Sequence, residues 1–137
     1  MDPRAVTLRV RPDTAELARV RRAVAAWAVD AGLDEAPARR LQMAVDEAVA
    51  NAIEHGMDGA GRVMVHGAPG RGRLTVTVRY RGARFDPTSA PAPAPGDSLR
   101  RRAEHGYGLH LIRRLVDEVA YRWDRGTNEV RLMTRRG

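Results

Sequence analysis

The sequence predicts an α+β protein in two layers: a mixed, mostly antiparallel sheet with its helices on one face. Three observations carry this. Val6, Leu8 and Val10, then "RVMVHG" and "RLTVTVRY", alternate apolar and polar residues with the period of two that exposes one face of a strand. Two intervening blocks place apolar residues three and four apart, the period of a half-buried helix. The resulting order is strand, two helices, two strands, long loop, helix, two strands, and grouped helices with hairpin-joined strands do not suit a strictly alternating parallel fold. At 137 residues the chain is expected to form a single domain over 1–137, and no internal repeat is visible.

Taken in order, "AVTLRVRP" is a strand ended by Pro12, after which Asp13 or Thr14 can cap a helix. Leu17, Val20, Val24, Trp27 and Ala31 follow helical spacing, and Gly32 closes that helix. A second helix carries Leu41, Ala44, Val45, Ala48, Val49, Ala52 and Ile53 on its apolar stripe and stops at "HGMDGAG". The next two strands are separated by "APGRG", a hairpin by turn chemistry. Residues 86–105 alternate Pro87, Pro91, Pro93 and Pro95 with small residues, which describes a long extended loop without a core of its own. "GYGLHLIRRLVDEV" reads as an amphipathic helix through Leu109, Ile112, Leu115 and Val116, and a final hairpin turns at Gly126.

Composition limits the function classes. The chain has no Cys, which excludes disulfides and thiolate metal sites and is compatible with a reducing compartment. No apolar run nears the roughly 18 to 20 residues of a bilayer span, and the start lacks a basic segment followed by an apolar one, so a soluble cytoplasmic protein with no membrane role is expected. The net charge is +7, yet every one of the 24 basic residues is Arg and aromatic residues are few. That pattern fits compositional bias better than a nucleic-acid surface, and an acidic protein partner or a nucleotide is the better use of the charge.

The stretch "DEAVANAIEHG" carries Glu47, Asn51 and His55 at one-turn intervals on the second helix. At 100° per residue they fall within about 80° of one another, with Glu54 beside Glu47. They form a polar edge at the rim of the apolar stripe, a geometry that suits a cleft. Asn is a poor residue within a helix, whereas an amide oxygen beside a carboxylate can coordinate Mg²⁺ or orient water. His55 fits the same column and equally fits a C-terminal helix cap.

The spacing E-A-V-x-N-A-I-x-H-G, followed downstream by G-x-G opening a helix, resembles the anti-sigma-factor serine kinases of the RsbW type, small members of the GHKL ATPase superfamily. "FDP", "GYGLHLIRRLVDEV" and "RGTNEVRL" occur in that family's order, so the resemblance covers nearly the whole chain. It implies a Bergerat-type ATP-binding sandwich with the Pro/Ala loop at about 86–105 as a lid. It implies ATP and Mg as cofactors, a sigma factor and a STAS-domain anti-anti-sigma factor as partners, a homodimer, and no direct contact with nucleic acid. Carried over by position, Glu47 resembles the general base that takes the proton of an attacking serine, and Asn51 resembles the Mg ligand. Gly106 and Gly108 match a glycine box whose backbone N–H groups meet the phosphates, and Thr127 resembles a late pocket threonine or serves its turn alone. Arg100, Arg101 and Arg102 either close on phosphates or form a solvated cluster.

One segment departs from the pattern. The strand before "FDP" ends D-x-G-x-G in the family, with the Asp accepting a hydrogen bond from the adenine amino group. Here it reads Tyr80-Arg81-Gly82-Ala83-Arg84, so Gly82 keeps the first glycine while Tyr80 and Arg84 replace the Asp and the second glycine. Alternation turns Tyr80 to the side of Val76 and Val78, where its ring either fills the adenine position or stacks on a base. Losing the carboxylate's hydrogen bond costs about 1.5–3 kcal/mol. Two functions follow: a Mg-ATP-dependent anti-sigma serine kinase, or a partner-switching module that works without ATP.

Overall fold

The computed structural model describes residues 5–56, 61–84 and 108–137. β1 (Val6–Val10) leads through a short 3-10 turn into α1 (Leu17–Ala31) and α2 (Glu35–Asn51); β2 (Val63–Gly70) and β3 (Arg73–Arg81) follow, then α3 (Gly108–Leu115), β4 (Glu118–Asp124) and β5 (Thr127–Arg135). The strands form one sheet in the order β1-β2-β3-β5-β4, and every pairing among the described strands is antiparallel. The expected α+β class therefore holds, with no parallel pair in the described sheet. No helix among the described residues is long and apolar enough to cross a membrane.

Local chemistry accounts for the element ends. The Asp13 carboxylate accepts from the Ala15 N–H at 2.9 Å, starting the turn that enters α1. Gly32 takes φ 73° and ends α1 in the left-handed region, donating back to the last turn. The β4–β5 hairpin needs positive φ at both turn residues, and Arg125 (49°) and Gly126 (81°) supply it. β2 runs on through Ala68, Pro69 and Gly70, so the β2–β3 turn is only Arg71–Gly72, tighter than the expected "APGRG" loop. α3 is shorter than its periodicity predicts. The Asp117 N–H donates to the Met133 carbonyl at 3.0 Å and its carboxylate accepts from the Arg135 N–H at 2.6 Å, so the chain joins the sheet before another helical turn forms.

One face of the sheet carries the core. Val63 and Val65 of β2, Leu74, Val76, Val78 and Tyr80 of β3, and Val130 and Leu132 of β5 are buried with Val20, Val24 and Trp27 of α1 and Leu41, Val45 and Val49 of α2. α1 covers β2 and β3, while α2 lies between α1 and α3 above β3 and β5. Gly67 makes room for Trp27: a Cβ there would lie 2.3 Å from the indole ring. The opposite face is polar, with Arg79, Arg122 and Arg131 around Glu129.

The course of the helices places the expected site residues. The Asp34 N–H just before α2 donates to the Arg136 carbonyl at 3.2 Å, so α2 starts beside the end of β5 and carries Glu47 and Asn51 towards its beginning. α3 runs the other way, because Leu115 and Val116 lie with Thr134–Arg136 and Asp117 bonds Met133. Gly108 therefore opens α3 towards the same end.

Candidate functional site

Two adjacent acids on α2 have different surroundings. Asp46 takes both arms of the Arg21 guanidinium of α1, at 3.1 and 2.9 Å, and Gln42 supports that arginine by donating to its carbonyl at 3.0 Å. The pairing raises the Arg21 pKa, first through the hydrogen bond and then through the charge of Asp46. Glu47 is half-buried and has no hydrogen bond or ion pair among the described residues. Burial, then the charges of Asp46 and Glu54, pushes its carboxyl above the usual glutamate range.

One turn later, Asn51 ends α2 and is only 4 % exposed, with an Nδ2 that finds no hydrogen-bond partner among the described residues. It lies deeper than the rim position expected for it. Asn51 falls within about 20° of Ala44, two turns earlier, whose position is fully buried. Beyond it, Ala52–Gly56 form a wider π turn that packs near β3. Such widening interrupts the regular helix and recurs at functional sites. An orphaned buried amide costs about 1–3 kcal/mol, so a carboxylate and an amide left unpaired at i and i+4 stand out against the satisfied Asp46.

At the end of β3, Tyr80 faces inward as alternation requires and is 3 % exposed. Burial, then the proximity of Tyr121, raises its phenol above the ordinary value. Gly82 is tied on both sides. Its N–H donates to the Gly126 carbonyl at 3.0 Å, and its carbonyl accepts from the Trp123 indole at 3.2 Å and from Asn128 Nδ2 at 3.4 Å. Asn128 also donates to the Ala83 carbonyl at 2.9 Å and accepts from the Tyr121 hydroxyl. Thr127 opens β5 opposite Arg81, partly exposed.

Glu47, Asn51, Tyr80, Gly82 and Thr127 thus gather towards one end of the sheet and helix layer, with the start of α3 at Gly108 directed the same way. The His55 side chain, Gly106, the loop at 86–105 and Arg100, Arg101 and Arg102 lie outside the described residues. The sequence reading missed Asn128, which is fully buried opposite Tyr80. A signal was available, because Asn is depleted in strand interiors and needs partners for its amide when it occurs there.

A divalent cation is compatible with this donor set in one manner. Among the described residues no group of three His, Cys, Asp or Glu side chains could hold a metal. Mg²⁺ commonly takes few protein ligands and completes its shell with water and phosphate oxygens. The oxygens that fit that sparse arrangement are the Asn51 Oδ1 and the Glu47 carboxylate, which has no partner among the described residues; the orphaned Asn51 Nδ2 is a donor and would not ligate a cation.

Comparison with known proteins agrees with the geometry. The chain is 29% identical over 94 residues to the serine/threonine-protein kinase BtrW of Bordetella bronchiseptica, covering 67% of this chain and 66% of that protein. It is 34% identical over 92 residues to the serine-protein kinase RsbW of Bacillus licheniformis, covering 63% and 58%. The matched regions are thus less than two thirds of each relative's length. The fold matches the RsbU and RsbW domains of a Mycobacterium tuberculosis protein with TM-score 0.69 at 21% identity, covering 96% of this chain and 32% of that one. A blue-light-activated histidine kinase domain from Erythrobacter litoralis shares it at TM-score 0.54 and 19% identity, over 90% and 60% of the two chains. Residues 10–134 match the histidine kinase-like ATPase domain, and the chain belongs to that family.

Proposed function

We propose that the protein is an anti-sigma factor of the RsbW type, which binds a sigma factor and uses Mg-ATP to phosphorylate a serine of a STAS-domain partner. The observation that carries this reading is the pair left unsatisfied among the described residues at the end of α2, Glu47 without a counterion and Asn51 with an orphaned Nδ2. The relatives' names as serine kinases support the same activity.

In this reading each residue has a defined task. Mg²⁺, when bound, offsets charge on the transferring phosphate. Asn51 would hold the cation or its water through its amide oxygen. Glu47 takes the proton from the attacking serine hydroxyl onto its carboxylate. The burial that raises its pKa makes it a stronger base than an exposed glutamate. Gly106 and Gly108 offer backbone N–H groups to the phosphates at the start of α3. Thr127, Gly82 and the His55 column border the nucleotide. The protein acts in the cytoplasm as a homodimer, an assembly that sedimentation tests directly.

Tyr80 favours a second reading. Its ring occupies the core side of β3 where the family's adenine-binding Asp stands, and it is almost fully buried. A site filled by that ring makes the protein a partner-switching module that binds sigma or anti-anti-sigma partners without nucleotide. Calorimetric titration with ATP and Mg²⁺ separates the two, with Tyr80→Asp and the uncharged Tyr80→Gly alongside. Micromolar binding by the unaltered protein, followed by phosphate transfer to a STAS partner, is the expected result. Absence of binding that either substitution restores would replace the kinase with the module.

A further inference from the structure

A polar cavity lies at the end of the layers away from Glu47 and Asn51. It has a volume of about 800 Å³, within the range of small-molecule sites. Arg40 of α2, Arg71 and Arg73 at the β2–β3 turn, Arg114 of α3 and Arg136 after β5 line it, with Thr134 of β5. These five arginines make no side-chain hydrogen bond or ion pair among the described residues. A sixth, Arg135, reaches only an exposed Glu118 at 3.7 Å. Asp117, the one acidic side chain in the lining, is engaged by the Arg135 N–H at 2.6 Å, and Gly137 lines the cavity as well without an ion pair among the described residues. Thr134 is 3 % exposed, and its hydroxyl has no hydrogen-bond partner among the described residues.

Converging guanidinium groups repel one another unless an anion lies among them, and their planar forks match phosphate oxygens two bonds at a time. A buried hydroxyl without a partner supplies a further donor or acceptor at the wall. We infer that this cavity is a binding site for a small, multiply phosphorylated molecule, held by Arg40, Arg71, Arg73, Arg114 and Arg136 with the Thr134 hydroxyl on one phosphate. Concavity and the buried hydroxyl favour a compact phosphate over an extended acidic peptide, which needs a groove and not an inward-facing alcohol. Because the site draws on the start of α2 and the end of α3, which lie together at the end of the layers away from Glu47 and Asn51, it is separate from the proposed nucleotide cleft and does not depend on kinase activity.

The test is calorimetric titration of the full chain with inorganic tripolyphosphate, with EDTA present so that no Mg-dependent site contributes. Hexaglutamate serves as the peptide probe. The expected result is saturable tripolyphosphate binding, weakened at least tenfold in Arg40→Glu/Arg114→Glu and several-fold in Thr134→Val. A control with the same charge change, Arg9→Glu/Arg22→Glu, should stay within about twofold of the unaltered protein; all four arginines are exposed, so folding is retained. Equal losses in the two double variants would reduce the effect to net charge and overturn the site. Unchanged binding in Arg40→Glu/Arg114→Glu would place the phosphate elsewhere, and unchanged binding in Thr134→Val would remove the hydroxyl from it. Hexaglutamate binding as tightly as tripolyphosphate would make the cavity a peptide site instead.

Discussion

Glu129 and Glu47 lie on opposite sides of the same sheet, and the protein treats them in opposite ways. Glu129, on the polar face, is only 7 % exposed and meets three arginines: Arg79 at 2.7 Å, Arg122 at 3.4 Å and Arg131 at 3.6 Å. Burial alone raises its pKa, but the Arg79 hydrogen bond and the charges of Arg79, Arg122 and Arg131 outweigh it and hold the carboxyl below the usual range. Glu47, on α2, meets other acids and no cation among the described residues, and its pKa rises. A chain with 24 arginines has ample means to pair a carboxylate. The contrast teaches that the fold satisfies acids where they stabilise it and leaves one unsatisfied where, on the proposed function, a reaction needs a base.

Glu47→Gln is the strongest way to break this contrast. On the kinase reading it lowers serine phosphorylation about 10²- to 10⁴-fold, measured by single-turnover transfer from labelled ATP. The same substitution should raise the melting temperature of the free protein at pH 7, because it removes an unpaired charge without changing shape. A loss of stability would erase the distinction between the two glutamates. Glu129→Gln should do the reverse. It leaves three guanidinium groups facing a neutral amide and costs about 1–2 kcal/mol in denaturant unfolding, since the arginines are half-exposed and their charges partly screened. Tyr121→Phe, which removes the hydroxyl that fixes Asn128, should cost about 1 kcal/mol, read from the same unfolding curves.

The smallest effects are those of pH, and they carry opposite signs. The native pKa of Glu129 is depressed, so its contribution is fully present above the unfolded-state value of about 4.3 and is lost as pH falls through the native value. The native pKa of Glu47 is raised, so its contribution is fully present below about 4.3 and is lost as pH rises through the native value. The stability difference between Glu47→Gln and the unaltered protein should shrink as pH falls from 7 towards 4, whereas that for Glu129→Gln should persist there and shrink only in stronger acid. Unfolding curves at several pH values check both slopes.

Much of the fold was legible because its signals are local. The period of two in Val76, Val78 and Tyr80 turned the Tyr80 side chain inward, and the helical spacing of Leu41, Val45 and Val49 found the core face of α2. Gly32 and Gly126 marked chain reversals that need positive φ. The length of α3 was less legible, because it is cut short by the bonds of Asp117 to Met133 and Arg135 and not by anything within the helix. The column Glu47–Asn51 was visible as spacing, but its depth was not: Asn51 reads as a rim residue until the α2 end is seen in line with the buried Ala44 position.

The sequence by itself determined the elements, their order and the chemistry on offer at Glu47 and Asn51, because backbone sterics and side-chain periodicity act over a few residues. Only the tertiary structure decided which polar groups find partners. Arg21 reaches Asp46 across 25 positions and passes over Glu47, and Asn128 secures Gly82 and Ala83 across more than 40. The arginines of the polar cavity come from four separate segments that carry no common motif. Pairing of buried charge depends on which distant residues the packed layers bring within about 3 Å, and no local pattern in the chain encodes that distance.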